Sequence, residues 1–125
     1  MKIHTEHVLI NVPLDRAFDY IADYENIPKW SKNFIFGLEK TGDGYMAATP
    51  VGKMKFELGA DKKTGVIDLL LDGRPLPTRV VPLGPATTAY FFTLILPPNL
   101  PDQEFQNGIR GLQEELLLLK DQLEK

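Results

Sequence analysis

From Phe34 to Leu96, apolar and polar positions alternate with a period of two. The alternation is interrupted by turn-forming clusters: Thr41-Gly42-Asp43-Gly44, Pro50-Val51-Gly52, Asp61 to Gly65, Asp72-Gly73-Arg74-Pro75 and Gly84-Pro85. The pattern predicts six consecutive strands, and links this short join neighbours as hairpins, so the sheet is expected to be an antiparallel meander. Ahead of it, Lys2 to Asn11 has the β-branched and apolar content of one more strand, which Pro13 stops by withholding a ladder donor. Pro13 also suits the first turn of a helix, where Ala17, Phe18, Ile21 and Ala22 recur at helical spacing with Tyr20 and Tyr24 beside them. Glu25 to Trp30 predicts a second, shorter helix or turn, with Pro28 in its first turn.

After Leu96, Pro97-Pro98-Asn99-Leu100-Pro101 ends the last strand, and Asp102 is the expected N-cap of a long helix. Phe105, Ile109, Leu112, Leu116, Leu119 and Leu123 form the apolar stripe of this helix, which is roughly 34 Å long at 1.5 Å per residue. A coiled-coil seam has the same spacing, but the stripe is shorter than such seams usually are, and packing onto the chain's own sheet is expected. The stripe and one sheet face must bury each other, which a sheet curled around the helix achieves. Gly108 and Gly111 interrupt this helix, each at a cost of about 1 kcal/mol relative to alanine. Gly108 lies beside the stripe by helical angle, and space for a cavity is expected there.

Composition narrows the function classes. A chain of 125 residues, 43% hydrophobic and 25% charged, suits a single domain over residues 1–125. A net charge of -3 with no visible basic patch argues against nucleic acid as a partner. There is no cysteine for disulfides or thiolate metal sites, no apolar leader follows Met1, and no apolar stretch approaches bilayer length. A cytoplasmic protein that does not insert into membranes is expected. His4 and His7 point to opposite faces of their strand, Thr41-Gly42-Asp43-Gly44 leads into no helix, and the single serine, Ser31, has no activating neighbour in sequence. Neither metal nor cofactor is expected, and hydrolase readings are set aside.

The element order and several motifs resemble the SRPBCC superfamily, whose members include lipid-transfer START domains, plant pollen-allergen-like proteins and bacterial polyketide aromatase/cyclases. The resemblance is carried by Thr5 to Pro13, Ala17 to Asn26 and Pro28-Lys29-Trp30, then by Gly65-Val66-Ile67-Asp68, Arg79-Val80-Val81-Pro82 and the ending Glu115-Leu116 through Leu123-Glu124. Within that superfamily the chain resembles small uncharacterised bacterial members. The resemblance implies an α+β helix-grip fold, with a curved seven-stranded antiparallel sheet in the order β-α-α-β6-α around the long C-terminal helix. It is specific for the fold and weak for activity, because one fold hosts many functions.

An aromatic-rich interior is the candidate site. Trp30, Phe34, Phe36, Phe56, Tyr90 and Phe92 are expected to line a pocket beneath Gly108, with Phe34, Phe36 and Leu38 on one strand face and Met54, Phe56 and Leu58 on another. Each could equally be ordinary core filling. One polar constellation joins them: a four-residue hairpin loop at Asp72 to Pro75 would set Asp68 opposite Arg79, and a two-residue loop at Gly84-Pro85 would set Arg79 opposite Tyr90. Parity is in conflict along that row. Tyr90 alternates with the apolar face, whereas Asp68 alternates against Ile67, Leu69 and Leu71, and a slip or bulge would reconcile them.

Three functions fit. The least demanding is binding, transport or sequestration of a small hydrophobic molecule, a lipid among them, by a monomer or weak homodimer. A polyketide cyclase/dehydrase-like enzyme would need a placed acid or base such as Glu6, Tyr45, Asp68, Arg79 or Tyr90. A protein-interaction module would use Leu117, Leu118 and Phe91.

Overall fold

In the computed structural model, which describes residues 1–125, the first alternating segment forms β1 (Lys2–Ile10), burying Val8 and Ile10 and turning Ile3 and Leu9 outward. Pro13 occupies the N-cap of α1 (Leu14–Ile21), which buries Ala17, Phe18 and Ile21. A 3-10 turn at Tyr24–Asn26 leads into α2 (Ile27–Trp30), where Pro28 sits in the first turn as expected and Ile27 and Trp30 are buried.

The strands that follow are β2 (Gly37–Thr41), β3 (Gly44–Thr49), β4 (Gly52–Asp61), β5 (Val66–Leu71), β6 (Arg74–Leu76), β7 (Thr78–Gly84) and β8 (Thr87–Leu96). They pair antiparallel in the order β1-β8-β7-β5-β4-β3-β2, with the three-residue β6 on β5. One expected strand is thus divided in two at Pro77, which has no N–H to donate, although its carbonyl accepts from Thr93 N–H at 2.9 Å. The sheet is curved and open, and α3 (Asp102–Glu124) lies against its inner face through Leu112, Leu116, Leu119 and Leu123. These leucines share one core with Val8, Ile10, Phe56, Ile67, Leu69, Val80, Tyr90, Phe92 and Leu94. The expected α+β helix-grip architecture is therefore present. Its helix begins one residue earlier than expected: Pro101 takes the N-cap position and Asp102 is the first helical residue, its carboxylate bound by Lys2.

The loops overturn the expected polar row. Asp72 and Gly73 form a two-residue turn with φ of 50° and 78°, pairing Leu71 with Arg74. The register then sets Val66, not Asp68, opposite Arg79. An irregularity between Pro82 and Gly84 shifts the other side, so Tyr90 pairs with Val80, and Arg79 with Phe91. Tyr90 is buried on the inner face, whereas Arg79 is exposed on the outer face with its Nε donating to the Thr64 carbonyl at 3.2 Å. Asp68 is half-buried on that same outer face, and no ion pair joins it to Arg79. A double-mutant cycle of Asp68→Asn and Arg79→Gln is expected to show coupling below about 0.5 kcal/mol in urea unfolding. Coupling of several kcal/mol would require the two to meet in a buried site.

Candidate functional site

The segment between α2 and β2 decides the geometry of the site. It is a turn and not a strand, held by Ile35 N–H donating to the Ser31 carbonyl at 2.8 Å, so parity does not apply to it. Ile35 goes into the core at 1% exposure, Phe34 is half-buried, and Phe36 stands 56% exposed, outside both clefts described below. The turn rests on α3 where Gly111 has no side chain: a Cβ there would come within 3.3 Å of Asn33 Nδ2. Asn33 ties itself to the helix, its Nδ2 donating to the Gly111 carbonyl at 3.1 Å and to Glu114 Oε2 at 3.4 Å.

Glu115 makes the second tie from inside the protein. Its Oε2 accepts the backbone N–H of Asn33 at 2.6 Å and of Phe34 at 3.2 Å, while Oε1 accepts the Ser31 hydroxyl at 3.4 Å. Only 2% of this residue is exposed. Burial pushes its carboxyl up to about 8, against the pull of its three donors, and the nearby Glu114 charge adds to the rise. Glu115 is not among the site residues expected from the sequence, and no neighbour is expected for Ser31. The spacing carries only part of the signal: Glu115, three residues after Leu112 and four before Leu119, falls beside the leucine arc on the side of Gly108, not within it.

Beneath the turn, Trp30, Tyr90 and Phe92 form a chain of edge-on rings, with centroids 6.1 Å and 6.4 Å apart. Trp30 and Tyr90 are wholly buried, and neither Trp30 Nε1 nor the Tyr90 hydroxyl has a hydrogen-bond partner in the protein. The Thr78 hydroxyl near Tyr90 donates instead to the Ile67 carbonyl. Burial holds the Tyr90 phenol far above its ordinary range, and the Glu115 charge pushes the same way. Phe56 packs elsewhere, edge-on to Tyr24 at 5.8 Å, while Tyr24 stacks on Tyr45 at 4.1 Å. The aromatic set expected to line one internal pocket therefore splits: Phe56, Tyr90 and Phe92 fill the core, and Trp30 lies in the core with one side toward a small cleft. Phe34 and Gly108 reach a larger one, and Phe36 is exposed outside both.

Two solvent-open clefts flank the Asn33 tie. The larger, about 470 Å³, is walled by α3 residues including Gly108, Arg110 and Gly111, by Asn33 and Phe34, and by Pro50 of the β3–β4 turn. The smaller, about 160 Å³, is walled by Trp30, Lys32, Asn33, Glu114, Glu115 and Leu118. Gly108 faces the inner sheet as its helical angle implies, with Leu94 and Leu96 each 3.5 Å from where its Cβ would stand.

No family model and no curated protein matches the chain. Solved structures do. The protein XoxI from Bacillus cereus superposes with a TM-score of 0.73 at 18% identity, over 98% of this chain and 96% of that one. A START superfamily protein from Mycobacterium smegmatis gives 0.69 at 15% identity, over 98% and 97%. The Zhui aromatase/cyclase from a Streptomyces species gives 0.75 at 14%, over 98% and 93%. At these identities the likeness is one of fold, and it agrees with the SRPBCC-like helix-grip architecture described above.

Proposed function

We propose that the protein binds a small, partly apolar molecule in the cleft between α3, the 31–36 turn and Pro50. The observation that carries this reading is the glycine-notched helix: Gly108 and Gly111 stand over a cleft of about 470 Å³, a volume within the usual range for small-molecule sites. The fold shared with START-type and aromatase/cyclase proteins supports it. Phe34 offers the cleft an apolar face, while Asn33, Asn107, Arg110 and Glu114 give it a polar rim, so the ligand is amphipathic more than purely hydrocarbon.

Gly108 separates binding from folding. A Cβ at this position meets Leu94 and Leu96 at ordinary contact distance, so Gly108→Ala is expected to raise helix stability by about 1 kcal/mol and to leave binding intact. With Leu94 and Leu96 already at contact distance, the outer methyl groups of Gly108→Leu are expected to turn into the cleft that Gly108 walls, and affinity for an environment-sensitive naphthalene dye is expected to fall by about tenfold or more. Fluorescence titration of the folded variants checks both. Undiminished dye binding by a folded Gly108→Leu protein would move the site elsewhere.

A further inference from the structure

The smaller cleft carries more than its size suggests, because its wall sets the indole N–H of Trp30, which the fold itself leaves unused, beside the buried carboxyl of Glu115. We infer that this wall is the polar anchor of the proposed site, built to receive an uncharged oxygen of the ligand, a carbonyl or a hydroxyl, in preference to a carboxylate or phosphate. The inference rests on the binding reading given above and specifies which ligands that site takes.

Trp30 Nε1 is a donor only, fully buried and without a partner in the protein. Leaving such a group unpaired is costly, so a ligand that brings an acceptor gains the bond and removes the penalty together. The indole does not choose between neutral and anionic acceptors. Glu114 makes that choice, and Glu115 joins it once pH exceeds about 8 and its carboxyl is ionised, since both carboxyls wall the same cleft and would then oppose an arriving anion. Lys32 is the single cation on that wall. The raised proton affinity of Glu115 fits the same scheme, because a protonated carboxyl donates to a carbonyl, and an ionised one accepts from a hydroxyl. Tyr90 supports the arrangement from below, its ring edge-on to Trp30 and its hydroxyl also unpartnered.

The way in lies under the Asn33 tie. Asn33 and Glu114 wall both clefts, so release of the Asn33 side chain from the Gly111 carbonyl would join them into one channel from Phe34 to Trp30. A ligand ring resting on Phe34 could then extend its oxygen toward the indole.

The chain has one tryptophan, so its indole N–H gives one resonance in a proton NMR spectrum. Four probes of matched shape are titrated while that resonance is followed: 2-acetylnaphthalene, 2-naphthalenemethanol, 2-ethylnaphthalene and 2-naphthoate. The ketone and the alcohol are expected to bind about tenfold tighter than the hydrocarbon and the carboxylate, and to move the indole signal downfield. Trp30→Phe is expected to abolish the preference while hydrocarbon binding persists. Should that variant fail to fold, Glu115→Gln provides the second test in titrations at about pH 9, where the carboxyl is ionised, because removing its charge is expected to raise naphthoate affinity toward that of the ketone. Equal binding of all neutral probes with a stationary indole signal would overturn the anchor and leave the cleft reading standing. Tighter binding of naphthoate in the unmodified protein, or a Glu115→Gln protein that still rejects it, would also overturn the anchor. If none of the four probes binds, the cleft reading fails as well.

Discussion

Gly65→Ala is expected to destabilise the protein by about 4 kcal/mol, enough to leave a marginally stable domain largely unfolded. Two effects combine. The residue has φ of 77°, which a side chain adopts at a cost of about 1–2 kcal/mol. Its Cβ would also stand 2.2 Å from the Val80 carbonyl oxygen, and a backbone atom cannot swing aside as a side-chain tip can. The only relief is to part β5 from β7, where Val80 N–H donates to the Gly65 carbonyl at 2.9 Å. This junction is thinly paired. The register between β5 and β7 is the single pair Val66 and Arg79, so Gly65 helps hold β1, β8 and β7 to the other half of the sheet. Gly73→Ala supplies the control, because Gly73 has nearly the same φ, 78°, with nothing within 4 Å of its Cβ direction. It is expected to lose about 1 kcal/mol. Urea unfolding of the two variants therefore separates strain from collision, and equal losses would show that the close approach at Gly65 relaxes without cost.

The same glycine shows what a sequence can convey. Asp61 to Gly65 reads as a turn from its residue types, and it is one, but that Gly65 must pass beneath Val80 depends on a contact fifteen positions away. Long regular elements were legible for a similar reason: the leucine stripe of α3 repeats often enough that its buried face needs no tertiary information. Registers were not. Asp72-Gly73-Arg74-Pro75 contains both a four-residue loop and a two-residue turn, and the structure takes the tighter one because Asp72 and Gly73 both accept positive φ. One further irregularity near Pro82 was enough to put Arg79 and Tyr90 on opposite faces. Phe36 was misplaced by the same logic, since alternation was extended backwards from β2 into a turn that does not alternate. The candidate site was harder still to read. Its central carboxyl belongs to a helix in which acidic residues ordinarily face water, and only the turn that folds over it makes Glu115 interior.

That carboxyl should give the protein an unusual dependence of stability on pH. Glu115 is raised from 4.5 to about 8 in the folded state, chiefly by burial, so the native protein holds a proton that the unfolded chain has already released. The contribution is complete below the unfolded value of 4.5, declines as pH rises through the interval, and is lost beyond the folded value of about 8. The slope approaches about 1.4 kcal/mol per pH unit where only the folded form is protonated, so a fall of about 3 kcal/mol is expected between about pH 5 and pH 8. Glu6, Asp102 and Glu124 are lowered by their hydrogen-bonded partners and act in the opposite sense, but at more acid pH, outside that interval. Near Glu115 itself, Glu114 adds to the rise, Tyr90 stays neutral throughout, and Lys32 faces the same cleft. Glu115→Gln keeps an acceptor oxygen for the Asn33 and Phe34 N–H groups and removes the titration, so its unfolding free energy should vary by less than about 0.5 kcal/mol over the same range. Glu115→Ala leaves those two N–H groups and the Ser31 hydroxyl without their acceptor and is expected to cost about 3 kcal/mol at low pH. Denaturation midpoints for the three proteins at several pH values test the scheme. A flat profile in the unmodified protein, matching Glu115→Gln, would mean that the carboxyl is ionised and well solvated, and that the turn does not seal it from water.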